Sequence, residues 1–262
     1  MRTFIHMDAG SVDEACGLLD RHQGKARLNA GGTDLLSVLK GDILPEYPEA
    51  IINMKTIAGL DYIKEDRDVL RIGALARLSD IAGSSVIRER YGVLAKSALS
   101  VGSPQIRNAA TIGGNLCQDS RCWYYRYPRH IGGPVQCLRK GSGPCLAVKG
   151  DNRYHAILKG GKCFSVCPSD TAVALAALDA KIVLAGLQGE RRIPVEDFYH
   201  SLGNALKTDE MVKEIEIPRK ASPTRQTYLK FTLRKPIDFA IVSVAAVMDV
   251  KKKTCMDARI VL

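Results

Sequence analysis

The sequence predicts a mixed α+β fold, and three observations carry that reading. Ser11 followed by Glu14 forms a capping box that opens an amphipathic helix, and strand, glycine-turn, helix and strand patterns follow it. A charged hairpin pattern at residues 62–72 precedes a run of helix-compatible apolar spacing. Helix and strand patterns then return after an aperiodic, cysteine-rich stretch of about fifty residues. The 262 residues, 46% of them apolar, suffice for one large domain or two to three small ones with an ordinary core.

The first helix carries Val12, Ala15, Cys16, Leu18 and Leu19 on one side. A strand over 26–30 runs into Gly31-Gly32-Thr33-Asp34, a short helix over 35–40 is stopped by Gly41, and 51–54 form the next strand. Strands at 62–64 and 69–72 flank Asp66 and Asp68 as a hairpin. Helical stretches over 78–82, 86–90 and 93–101 lead to a second glycine turn, Gly113-Gly114 within 110–116. Beyond the cysteine-rich stretch, 171–178 read as a helix, 181–185 as a strand and 218–223 as a linker. The last part, 227–250, reads as strand, turn and a buried helix over the apolar run 240–248.

The net charge of +10 points to an anionic partner: nucleic acid, an acidic membrane surface or an anionic cofactor. Its location is informative, because residues 118–163 hold nine basic residues against only Asp119 and Asp151. Cys117, Cys122, Cys137, Cys145, Cys163 and Cys167 cluster in or beside that segment, far from Cys16 and Cys255. No window approaches the roughly 18 apolar residues of a membrane span, and the first residues lack an export pattern. The chain is therefore expected to be soluble and cytoplasmic, where clustered thiols are more often metal ligands than disulfides.

A glycine pair between strand and helix lets the backbone approach a phosphate closely, although a single such pair is more often only a turn. Two of them, flanked by Thr33, Thr111 and Asn115, suit a dinucleotide's pyrophosphate gripped from two sides. Neither has the GxGxxG spacing of a nicotinamide-binding Rossmann unit.

AGGTDL at 30–35, IGALARLSDI at 72–81, GSPQIRNAATIGGNL at 102–116, PSDTAVALAALDAKI at 168–182 and FTLRKPIDFAIVSVAA at 231–246 resemble, in order, blocks of one family. It comprises the FAD-binding subunits and domains of molybdenum hydroxylases, including those of xanthine dehydrogenase and CO dehydrogenase. The resemblance implies a two-part FAD-binding domain, 1–57 and 58–220, followed by a small α+β domain at 221–262. That last domain is expected to be shortened, since members usually continue beyond a sequence like 257–262. By resemblance, Ala30, Gly31, Gly32, Thr33, Asp34 and Leu35 hold the FAD pyrophosphate and ribitol together with Thr111, Ile112, Gly113, Gly114 and Asn115. Gly73 and Val101 are implied close by, and Gln118, Asp170 and Lys230 are implied FAD contacts. Lys230 has a plain reading as a solvated strand residue and another as a positive charge that stabilises a reduced, anionic flavin.

The insertion at about 117–168 is similar to that of the 4-hydroxybenzoyl-CoA reductase flavin subunit, which carries an extra [4Fe–4S] cluster. Cys122, Cys137, Cys145 and Cys163 are the expected ligands, with Cys117 and Cys167 expected to be structural. Basic side chains offset the negative charge of a thiolate-bound cluster, and a structural zinc site, which usually has closely spaced cysteine pairs, is the alternative. The implied function is electron relay between FAD and iron–sulfur centres, with substrate chemistry on a partner. The expected partners are a molybdopterin-binding large subunit, a [2Fe–2S] small subunit and a soluble electron carrier such as ferredoxin or NAD, without nucleic acid or membrane insertion. Two rivals exist: a zinc-stabilised scaffold with a degenerate flavin site, and a basic nucleic-acid-binding module. The second rests on a pI near 9.2 and on aromatics interleaved with arginines at 121–129, but leaves the glycine turns and cysteines unexplained.

Overall fold

The computed structural model describes residues 1–133, 135–158, 160–219, 224–234 and 237–262. Most of the expected linker at 218–223 lies outside the described residues. The first sheet is parallel, with order β1-β3-β2, built from β1 (Ile5–Asp8), β2 (Ala26–Asn29) and β3 (Ala50–Asn53). Helix α1 (Val12–Arg21) follows β1, and α2 (Leu35–Gly41) follows β2. Ala15, Cys16, Leu18 and Leu19 of α1 pack on Ala50, Ile52 and Met54, as the apolar stripe predicts. At the start of α1, Ser11 Oγ accepts from Glu14 N–H while Glu14 accepts from Gly10 N–H. The reciprocal cap thus closes one residue earlier than the simple box.

The second sheet is antiparallel with order β4-β5-β10-β6-β7. The expected hairpin is present as β4 (Ile63–Glu65) and β5 (Val69–Gly73). Helices α3 (Leu78–Gly83), α4 (Ser85–Arg90), α5 (Gly92–Leu99), α6 (Pro104–Ala109) and α7 (Ile112–Cys117) follow, and after the insertion comes α9 (Asp170–Ala177). The insertion itself contains the one-turn α8 (Arg129–Gly132) and two 3-10 turns. Next come β6 (Lys181–Gly186), β7 (Gly189–Pro194), α10 (Val195–Phe198), the two-residue pair β8 (Tyr199–His200) and β9 (Gly203–Asn204), and β10 (Met211–Pro218). Their common core contains Leu70, Ile72, Leu94, Ile112, Leu175, Ile182 and Ile215. Hydroxyl side chains of Ser84, Ser103, Thr111 and Ser169 cap α4, α6, α7 and α9.

The third sheet is β11 (Thr224–Phe231), β12 (Val242–Lys251) and β13 (Thr254–Val261), paired antiparallel in that order. This corrects the expected helix over 240–248, which is strand β12. A short apolar run fits a buried strand as well as a helix, and pairing on both sides, with Ala245 and Val247 buried on one face, selects the strand. Two smaller corrections concern glycines. Gly41 is the last residue of α2, and Asp42, at φ 49°, takes the left-handed position beyond it. Gly113 and Gly114 lie inside the first turn of α7, which Thr111 caps, and do not form a separate turn before it.

Candidate cofactor cleft and cysteine cavity

Gly31 explains how the two glycine segments meet. A β-carbon there would fall 2.0 Å from the Ala109 carbonyl oxygen, so only glycine lets the turn after β2 close against the α6–α7 junction. Gly32 has φ +68°, and a β-carbon on Gly114 would meet only Thr111 Oγ1, at 3.0 Å. Between these segments opens a cleft of about 1660 Å3, larger than the roughly 300–1000 Å3 of ordinary small-molecule pockets. Its walls include Ala30, Gly31, Gly32, Thr33, Asp34, Leu35, Val101, Thr111, Gly113, Gly114, Asn115, Gln118, Asp170 and Lys230. Gly73 and Ile112 are not among the lining residues. A β-carbon on Gly73 would lie 2.2 Å from the Leu60 carbonyl oxygen, and Ile112 is fully buried in the core.

Several of these side chains already have protein partners. Asp34 receives Arg121 at 2.8 Å, Arg126 at 2.9 Å and the Asp119 N–H at 2.8 Å, tying the insertion to the start of α2. Burial pulls the Arg121 guanidinium down to about 10, although Asp34 opposes this, and its Cζ lies 4.2 Å from the Phe239 ring centre. Asn115 Oδ1 accepts from Ser169 Oγ and Thr171 Oγ1, both at 2.7 Å, joining α7 to the start of α9. Gln118 donates to the Asn115 carbonyl and accepts from Arg121.

Asp170 and Lys230, read separately from sequence, form one buried ion pair at 2.7 Å. Tyr228 donates to the other Asp170 oxygen at 2.7 Å, and Lys230 also donates to the Ser100 carbonyl at 3.1 Å. Lys230 is therefore not a solvated strand residue. Sequence reasoning missed Tyr228, although its position two residues before Lys230 places both on one strand face. It also missed Ser169 and Thr171, whose hydroxyls flank Asp170.

The insertion shares a small core with α2 and the residues just after it. Tyr125 and Cys137 are buried with Val38, Ile43 and Leu44, and Tyr125 donates to Asp119. Cys122, Cys137, Cys145 and Cys163 all line one cavity of about 20 Å3, beside Arg139 and Lys162. Cys117 and Cys167 do not line it, although both, like Cys163, border the large cleft. Tyr125, Arg139 and Cys163 belong to the walls of both spaces. Burial alone would raise the Cys163 thiol, but hydrogen bonds with Ser165 and Arg139 outweigh it and hold the thiol below its usual value. Burial raises Cys122, and desolvation pushes Cys117 up to about 12. Among the described residues no three His, Cys, Asp or Glu side chains converge as a site for a single metal ion. No helix of the described residues is long and apolar enough to cross a membrane.

A family model described as the FAD binding domain in molybdopterin dehydrogenase matches residues 2–220. The aldehyde oxidoreductase FAD-binding subunit PaoB of Escherichia coli (strain K12) is 36% identical over 258 residues, 95% of this chain and 78% of that protein. The carbon monoxide dehydrogenase medium chain of Hydrogenophaga pseudoflava is 29% identical over 255 residues, 96% of this chain and 71% of that one. A solved structure of carbon monoxide dehydrogenase from Hydrogenophaga pseudoflava, lacking the Mo-pyranopterin moiety of its cofactor, superposes with a TM-score of 0.75 at 26% identity, covering 99% of this chain and 74% of that chain. With the family match, this likeness and the two-sided glycine cleft agreeing, the chain belongs to the family of FAD-binding domains of molybdopterin dehydrogenases.

Proposed function

We propose that the chain holds FAD non-covalently across the cleft and relays electrons between the flavin and iron–sulfur centres, while a partner subunit carries the molybdenum site. The observation that carries this reading is the shared wall: Tyr125, Arg139 and Cys163 border both the glycine-lined cleft and the four-cysteine cavity. Bound FAD supplies two-electron exchange with a soluble partner and one-electron exchange with clusters. The chain's own part is to bind and position. Gly32 and Gly114 leave backbone open to the cofactor, Thr111 and Asn115 set the turn, and the neutral Asp170–Lys230 pair closes the side toward β11. The relatives' names support assembly with other subunits, and we infer a molybdopterin-binding large subunit, a [2Fe–2S] small subunit and an external carrier such as ferredoxin or NAD.

The same reading assigns a [4Fe–4S] cluster to Cys122, Cys137, Cys145 and Cys163. Four thiols surround one cavity without meeting at a point, a donor set suited to a multi-iron core more than to one tetrahedral zinc ion. Arg139 and Lys162 supply compensating positive charge. A cavity of about 20 Å3 admits little more than one water-sized sphere, so the insertion must open around the four thiols on binding. The purified complex should show flavin absorption with a broad iron–sulfur shoulder, and each of the four Cys→Ser variants should lose iron and sulfide while Cys117→Ser and Cys167→Ser keep them. Flavin with stoichiometric zinc and no sulfide would overturn the cluster assignment. Absence of flavin would overturn the relay itself.

A further inference from the structure

His155 is buried in the insertion, 9% exposed, and borders the large cleft beside the four cysteines. Its backbone N–H donates to the Asn152 carbonyl at 2.9 Å, which fixes the chain around the ring. Trp123 meets the imidazole edge-to-face at 5.3 Å and Tyr124 lies 6.1 Å away, so the surroundings are aromatic. Among the described residues the ring makes one polar contact: Nε2 stands 3.2 Å from Cys122 Sγ, while buried Nδ1 has no partner there. Packing alone would be served as well by phenylalanine, without an unsatisfied ring nitrogen. Among the described residues, this side chain's hydrogen bonding is thus directed at one sulfur.

From this geometry we infer that His155 is a positioning and tuning residue for the cluster, donating its Nε2–H to the Cys122 sulfur and raising the cluster's reduction potential. The inference rests on the cluster assignment above. A sulfur bonded to iron carries more negative charge after the cluster gains an electron, so a donor aimed at it stabilises the reduced form more than the oxidised one. Both the neutral Nε2–H tautomer and the doubly protonated ring provide that donor. No bond to iron is asked of the histidine.

The test is an EPR-monitored redox titration of the purified complex. His155→Phe keeps the aromatic packing and removes the donor. At a fixed potential the reduced fraction relative to oxidised should fall about tenfold, equivalent to about 59 mV for a one-electron couple. His155→Gln retains an N–H of similar reach and should lie closer to the parent than the Phe variant does. A Phe variant with full iron and sulfide and an unchanged midpoint overturns the inference and leaves the cluster standing. Should the Phe variant lose its cluster, pulsed EPR of the reduced parent with 15N-labelled histidine decides. A weak nitrogen coupling that vanishes in His155→Gln supports the hydrogen bond, whereas no coupling, or the strong coupling of a directly bonded nitrogen, overturns it. A parent without iron and sulfide refutes the cluster assignment first, before any variant is made, and this inference with it.

Discussion

A β-carbon on Gly31 would collide with backbone that cannot move away, at 2.0 Å from Ala109 O and 2.7 Å from its carbonyl carbon. On Gly114 it would meet only the Thr111 hydroxyl, at 3.0 Å, and no backbone. The two glycines should therefore fail in different ways. Gly31→Ala is expected to cost about 3 kcal/mol, as overpacking against a fixed neighbour does, and thermal unfolding should show it whether or not flavin is bound. Gly114→Val should leave unfolding within about 1 kcal/mol of the parent, since valine is tolerated in a helix turn, yet lower the flavin content of the purified complex. Full flavin occupancy in Gly114→Val would remove this position from the cofactor site. Sequence reading found both glycines and assigned both to phosphate approach. It had no means of knowing that Gly31 faces Ala109, a residue 78 positions away, because that contact exists only once the two segments are folded together.

Among the secondary elements, β7 is joined to the approach to β10 by a bidentate pair, with Arg191 Nε and Nη2 donating to Glu210 at 2.8 and 2.7 Å. The Lys207 N–H adds a third donor at 2.8 Å. Arg191 is the main cause that holds the Glu210 carboxyl below its ordinary value, against the opposing effect of burial. A carboxyl whose folded pKa is depressed stabilises the fold above its unfolded pKa, near 4.3, and loses that contribution as pH falls through the folded value. Glu210→Gln should thus be about 1–2 kcal/mol less stable than the parent at pH 7, with the gap closing in denaturant titrations below roughly pH 4. A gap independent of pH would assign the effect to packing. Strands and helices at this scale were largely legible: α1, β2, β3, the β4–β5 hairpin, α9 and β6 all stand close to their predicted places. The one reversal, β12, followed from an apolar run whose state depended on β11 and β13 pairing beside it.

Across the molecule, the Asp170–Lys230 pair pins the third sheet to the helical layer through α9. Removing one partner leaves the other charge buried, so Lys230→Met should cost about 3–5 kcal/mol in chemical denaturation, and the double variant with Asp170→Asn should recover much of that loss. No recovery in the double variant would show that the cost lay in lost packing of the lysine stem. The sequence by itself determined the family, the α+β class, the two glycine segments and the cysteine-rich insertion, because each is a local pattern of residue types along the chain. It did not determine that Asp34 anchors the insertion through Arg121 and Arg126, or that Asp170 and Lys230 neutralise each other. Nor did it show that Cys122 alone of the four shares a hydrogen bond with His155. Those pairings join residues 33 to 92 positions apart, and only burial, which makes an unpartnered charge or polar group costly, decides which of many possible partners meet.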